Sequence, residues 1–390
     1  MEKLVYGGDG LARLDGRVVF APFVLPGERI CVRAEREKPG LIHAGTVRIL
    51  EPSASRVAAP CPVFGRCGGC HYQHAPYADQ LAAKRAILEE ELRRLGKIAP
   101  PKEIAVIAGE PWGYRNRVQL RVEKGRLGYL EMRSHKMCGI AQCPIASPKL
   151  NQAIDVLNRM LHDAKWPRMV RSVELFTDET GVQLNLMETG RPVARRFFEW
   201  CGENIPGLVE GALDYNGQYR VSRGSFFQVN RFLLNRLVEA AVEGAEGDSA
   251  FDLYAGVGLF APALARKFRQ VTAVESGSRA VRDLQFNAQR AGLANVRAEA
   301  RMVEEFLQEQ ERPADFVLAD PPRAGLGKAV VRRLVELQPR QVALVACDPA
   351  TLARDLAAMV AGGYRMVRMA MVDLFPQSYH LEAIVLLQRT

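Results

Sequence analysis

The residues best suited to chemistry sit at the ends of apolar runs in the C-terminal part of the chain. Cys347 follows Val342-Ala343-Leu344-Val345-Ala346 and precedes Asp348-Pro349-Ala350-Thr351-Leu352, where Pro349 marks the first turn of a helix. A helix N-terminus favours thiolate, and thiolate is the nucleophilic form of cysteine. Added to C6 of a uracil ring, it turns C5, a poor nucleophile on its own, into an enolate carbon able to accept a methyl group. The C5 proton must then leave, and Glu382, within His380-Leu381-Glu382, is the expected general base. Taken singly, Cys347 fits a packed core thiol as well and Glu382 a strand-edge acid. Further residues at neighbouring strand ends favour the catalytic reading.

One group is Asp252-Leu253-Tyr254-Ala255-Gly256-Val257-Gly258-Leu259-Phe260, which places Gly256 and Gly258 between a strand and a helix, where a ligand needs bare backbone. Glu275 ends the next strand, where an acid can accept both ribose hydroxyls. Together they predict an adenosine-type cofactor without saying which, since Gly256-x-Gly258-x-x-Ala261 also fits a loose NAD pattern. Asp320-Pro321-Pro322-Arg323 follows Phe316-Val317-Leu318-Ala319, and two prolines stiffen the chain so that Asp320 is held in fixed geometry. Methyl transfer to a planar base needs such an element; hydride transfer has no obvious use for it.

A second cluster is Cys61-x5-Cys67-x2-Cys70, followed much later by Cys143-Pro144. Four thiolates suit zinc or an iron-sulfur cluster. Cys138 competes for the fourth place; Cys143 is preferred because proline often follows a cluster cysteine. Cys31 and Cys201 read as structural.

These groups need a scaffold. With 390 residues, two or three domains are expected. No apolar run approaches the ~18 residues of a membrane span and no signal peptide is visible, so a cytoplasmic protein without a membrane partner is expected. From Ala250 strands and helices alternate: strands 250–254, 271–275, 315–319 and 341–346, helices from Leu259, over 278–291 and from Gly327. That pattern predicts an α/β doubly wound sheet, closed by an antiparallel pair, 364–374 and 381–388. The first ~55 residues hold short strands around Pro26-Gly27 and read as a small OB-like barrel. A helix over 77–95 is predicted with Leu81, Leu88, Leu92 and Leu95 on one stripe and Gly96 as its stop.

The net charge of +9 suggests an anionic partner. Between Pro111 and Lys136 seven basic residues stand against two acids. Arg115, Arg117, Gln119 and Arg121 alternate with Asn116, Val118, Leu120 and Val122, predicting a strand with one cationic face for RNA phosphates; a merely solvated face has the same pattern.

With these residues in hand, the chain resembles the bacterial RNA uracil-5-methyltransferases, in particular the 23S rRNA members that carry a TRAM domain and a [4Fe-4S] cluster. The resemblance rests on Tyr6-Gly7-Gly8-Asp9-Gly10-Leu11-Ala12-Arg13, the cysteine spacing, Phe226-Phe227-Gln228-Val229-Asn230, Asp252 to Gly258, Asp320 to Arg323, and Cys347 to Asp355. It implies residues 1–55 as an RNA-binding barrel, 56–215 as a central α+β domain with the cluster and an RNA surface, and 216–390 as the catalytic domain. It also implies that Gln228, Tyr254, Glu275 and Asp320 contact S-adenosylmethionine, with Cys347 as nucleophile and Glu382 as base. The expected product is 5-methyluridine, the expected partner 23S rRNA, and the expected state a monomer. Asp348 departs from the family, where many members carry asparagine, and its carboxylate is expected to raise the pKa of the neighbouring thiol. A tRNA uracil-5-methyltransferase, an RNA cytosine-5-methyltransferase and a noncatalytic RNA-binding protein are the alternatives; the second normally carries a Pro-Pro-Cys element, whereas Arg323 follows the prolines here.

Overall fold

The computed structural model describes residues Met1–Thr390. Its centre is an eight-stranded sheet in the order Val296–Ala300, Gln270–Glu275, Ser249–Leu253, Phe316–Ala319, Gln341–Ala346, Glu382–Arg389, Tyr364–Val372, Ala105–Ile107. The first five strands run parallel. The inner strands Phe316–Ala319 and Gln341–Ala346 are buried along their whole length and are almost entirely apolar. The order reverses between Ser249–Leu253 and Phe316–Ala319, and a crevice for ligands opens at such a switch point, beyond the carboxyl ends. Glu275, the Gly256 loop, Asp320 and Cys347 lie in that order at the carboxyl ends of four neighbouring strands, Gln270–Glu275, Ser249–Leu253, Phe316–Ala319 and Gln341–Ala346.

The two last strands form the expected antiparallel pair, but the C-terminal one is inserted between Gln341–Ala346 and Tyr364–Val372. Ala105–Ile107, three residues long, adds a parallel edge strand. Helices pack on both faces: Val330, Leu334, Leu352 and Leu356 belong to one core, Leu237, Ala241 and Leu264 to the other. Class I methyltransferase architecture, with additional β units, describes this arrangement.

Residues 3–51 form a five-stranded sheet of their own. A second five-stranded sheet, all antiparallel, has Arg117–Glu123 as its central strand and packs on the helix Pro148–Met160, which Ser147 caps through its side chain. The helix predicted over 77–95 runs from Tyr77 to Glu91 and ends in a single π turn, Leu92–Gly96. That wider turn advances the phase, so Leu95 is exposed while Ile87, Leu88 and Leu92 form the buried stripe. Three polar residues, Gln80, Lys84 and Glu91, share that buried face. No helix is long and apolar enough to cross a membrane.

Candidate active site and cysteine pocket

The strand Ser249–Leu253 ends at Tyr254, which adopts a left-handed backbone (φ 63°), and Gly256 (φ 56°) turns the chain toward the next helix. Non-glycine residues pay about 1–2 kcal/mol for this region, a strain that persists where the surroundings fix it. The two glycines do different work. A β-carbon on Gly256 would point into open space, whereas one on Gly258 would meet Leu284 Cδ1 at 2.5 Å, so Gly258 serves helix packing. Glu275 accepts from Gly256 N (3.0 Å) and Gly277 N (2.6 Å) and ties the loop to the neighbouring strand.

Beneath the loop lies Asp252, fully buried, with no hydrogen-bond partner on either carboxylate oxygen. Burial pushes its pKa well above the ordinary carboxylate range, and Asp320 and Glu275 add to the effect. Sequence reasoning quoted Asp252 only as the start of the loop; its isolation from other polar groups has no signature in the chain. Asp320 accepts from Gln228 Nε2 at 3.4 Å, and burial pushes it up to about 7. Asp252, Glu275, Asp320 and Gln228 therefore surround one end of the sheet with acceptors, a setting that favours a positively charged ligand.

Cys347 and Glu382 meet beside this crevice. Ala346 pairs with Ala383 in antiparallel register, and continuing by one residue sets Cys347 opposite Glu382, which itself pairs with Val372 on the other side. Burial pushes the Cys347 thiol up to about 12, with Glu382 and Asp320 raising it and Arg323 lowering it. Burial and Asp320 likewise hold Glu382 well above its usual value, against Arg323. Nucleophile, acid and Asp320 thus titrate in one electrostatic environment whose cation is Arg323. The Asp348 carboxylate, expected to act on the thiol unless its charge is compensated, caps the helix Pro349–Ala361 by accepting from Ala350 N (3.0 Å) and Thr351 N (2.9 Å). The acids acting on the thiol are Glu382 and Asp320 instead.

The loop leading into Glu382 is held from outside the sheet. Lys84 Nζ donates to Asp373 Oδ1 (2.6 Å) and to the Phe375 carbonyl (2.9 Å), both ion-pair side chains being fully buried. Gln80 donates to Gln377 Oε1 (3.0 Å) and accepts from Gln377 N (2.9 Å). Tyr6, from the N-terminal sheet, donates to the Cys347 carbonyl at 3.4 Å and packs edge-on against Tyr379, with ring centroids 5.3 Å apart.

Residues 209–390 match the family described as tRNA (Uracil-5-)-methyltransferase. Over nearly the whole chain, a 23S rRNA (uracil(1939)-C(5))-methyltransferase of Aeromonas hydrophila is 34% identical, covering 97% of this chain and 93% of that one. Its counterpart in Nitrosospira multiformis is 31% identical over 100% of this chain and 98% of the other. The chain belongs to the RNA uracil-5-methyltransferase family. Among solved structures, the tRNA (uracil-54, C5)-methyltransferase of Pyrococcus abyssi, in complex with S-adenosyl-L-homocysteine, shares 26% identity at a TM-score of 0.78, covering 99% of both chains.

In this methyltransferase Cys61, Cys67, Cys70 and Cys143 line one cavity of about 60 Å³, together with Arg115 and Tyr129. Cys138 is fully buried in the strand Met137–Gly139 and does not line it. Asn151 fixes the Cys143 backbone from both sides, accepting from its N–H (2.8 Å) and donating to its carbonyl (3.0 Å). Burial pushes Cys67 and Cys70 up to about 12, so these two stay neutral thiols unless a cation draws the protons off. The side chains as placed include no group of three or more in metal-ligating geometry. Even so, four thiols around one small cavity are the donor set of a tetrathiolate site, and the residues fit such a group chemically.

The cationic strand is only partly borne out. Arg117 is buried, donates to the Ser225 carbonyl (2.8 Å) and lies 4.3 Å from the centroid of the Phe176 ring, itself stacked on Tyr215. Arg121 is exposed but paired with Glu188 at 2.5 Å. The strand is central in its sheet, and Tyr215, Ser225 and Gln228 contact only its start at Asn116 and Arg117, which turns Arg117 inward while Gln119 stays exposed. The accessible basic and aromatic groups instead line a cleft of about 710 Å³ that includes Arg115, Arg133, His135, Tyr379 and His380.

Proposed function

We propose that this RNA uracil-5-methyltransferase uses S-adenosylmethionine to methylate C5 of a uridine in 23S rRNA through a covalent adduct between Cys347 and C6. The observation that carries the proposal is the placement of Cys347 opposite Glu382, beside Asp320 and the crevice of the sheet. S-adenosylmethionine, when bound, supplies an electrophilic methyl group that C5 of the adduct accepts. Asp320, Gln228, Tyr254 and Glu275 would hold it, and its positive charge would offset the acidic surroundings that raise the Cys347 thiol. Cys347 Sγ, once ionised, bonds to C6, and the electrons of the C5–C6 double bond move to C5. After C5 is methylated, Glu382 takes the C5 proton, the C5–C6 double bond re-forms and the C6–S bond breaks, returning the thiolate.

Residues 1–55 and the 710 Å³ cleft supply the RNA-binding surface in this proposal, and the four-cysteine pocket holds a [4Fe-4S] cluster that shapes that surface. The chemistry is polar and uses no electron from it. Ribosomal RNA is favoured over tRNA because the relatives named for 23S rRNA are 31–34% identical, against 26% for the solved tRNA enzyme. Purified protein with labelled S-adenosylmethionine should convert one uridine of a 23S transcript to 5-methyluridine. Labelling of tRNA alone would move the substrate to that class, and no labelling of either would defeat the proposal.

A further inference from the structure

Arg115 was expected on a cationic strand face for RNA phosphates, yet it lies in the wall between two cavities. Gly69, Arg115 and Tyr129 line both the cysteine pocket and the cleft that reaches Tyr379 and His380. Two hydrogen-bond donors in that wall are sealed from solvent: Arg115 Nε has no acceptor, and the Tyr129 hydroxyl has none but the Cys143 sulfur beside it. Tyr114, Tyr129, Cys143 and Cys70 lie close enough for their charge to reach the guanidinium. A buried donor without an acceptor costs about 1–3 kcal/mol. Chains retain such groups where something absent from the polypeptide satisfies them.

From this we infer that Arg115 and Tyr129 are the electrostatic and hydrogen-bonding partners of the thiolate-bound group in the Cys61, Cys67, Cys70 and Cys143 pocket, an inference that rests on the proposed cluster. Four thiolates around a [4Fe-4S] core, or around zinc, carry net negative charge in a pocket whose cation is Arg115. Sulfur accepts hydrogen bonds, and Arg115 Nε and the Tyr129 hydroxyl are the two donors without another acceptor there. Positive charge and hydrogen bonds to the sulfurs stabilise the reduced, more negative state and raise the reduction potential. The same contacts fix the wall facing the RNA cleft.

Anaerobically purified parent protein, Arg115→Met, Arg115→Lys and Tyr129→Phe are to be compared by iron and sulfide per chain, rate of colour loss in air, and reduction potential. Arg115→Met should lose iron several-fold faster and show a more negative potential; Arg115→Lys, keeping the charge, should recover most of both. Tyr129→Phe, which removes one hydroxyl and leaves packing intact, should lower the potential alone and keeps the test open if Arg115→Met does not fold. Parent-like iron content, loss rate and potential in Arg115→Met and Tyr129→Phe would overturn the inference. A parent without iron or sulfide would instead defeat the cluster reading; if it holds zinc, equal release to a chelator from all four proteins would defeat the inference.

Discussion

Glu382 stands across the sheet from Cys347, one residue beyond the Ala346–Ala383 pair, although 34 positions separate them along the chain. Directly opposed residues of an antiparallel pair point to the same side, so the register alone brings nucleophile and base to one place. If Glu382 takes the C5 proton, Glu382→Gln must stall after methyl transfer. An adduct on ordinary uridine RNA should accumulate and turnover should fall about 10²–10⁴-fold, the usual worth of a general base. Denaturing gels and single-turnover kinetics check this; parent-like turnover would remove Glu382 from the role.

Burial raises Asp320 from 3.8 to about 7 in the folded chain. Between those values the folded protein keeps a proton that the unfolded chain has released, so the ligand-free enzyme should lose stability as pH rises from about 4 to about 7. Asp320→Asn should make that slope shallower in melting temperatures taken across the range, with Asp252 and Glu382, raised in the same direction, supplying what remains. Binding of S-adenosylmethionine, bringing positive charge to the carboxylate, should release protons near pH 6.5, readable by calorimetry in buffers of different ionisation enthalpy. A slope of the opposite sign in the parent would contradict the assignment.

Lys84 and Asp373 form a buried pair between a helix and the loop that delivers Glu382. Lys84→Met leaves the Asp373 charge without its partner and should cost about 3–5 kcal/mol. Replacing both, as Lys84→Met with Asp373→Leu, should restore most of the stability in denaturant titrations while turnover stays low, because the loop has lost its anchor.

Asp348 serves the helix as a cap, and the thiol is governed by other acids. Asp348→Asn should leave both stability and the pH dependence of adduct formation near those of the parent, whereas Asp348→Ala should lose about 1 kcal/mol with the cap. A marked downward shift of the pH profile in Asp348→Asn would show that the thiol feels this charge.

Much of the catalytic half was legible because buried parallel strands are written as unbroken apolar runs, with glycine, proline or cysteine at their ends. Cys347, Asp320 and Glu275 could therefore be placed at strand ends without knowing the strand order. Ala105–Ile107 could not, since three largely exposed residues carry no run and their partner strand lies far away in the chain. Arg117 was misread because alternation reveals that a face exists but not what covers it. Leu95 failed for a local reason: one π turn shifts the helical phase, and nothing in Leu92–Gly96 announces it. The isolation of Asp252 and of Arg115 Nε depends on what does not surround them, which only the folded chain shows.

The central claim is that Cys347 bonds to C6 of the target uridine. The most direct measurement is mass spectrometry of the protein after incubation with S-adenosylmethionine and RNA carrying 5-fluorouridine, whose C5 substituent cannot leave as a proton. A denaturation-resistant adduct mapped to the peptide containing Cys347, bearing the transferred methyl and absent from Cys347→Ala, is the expected result. A methylated product from ordinary RNA in Cys347→Ala, or an adduct on another residue, would contradict it.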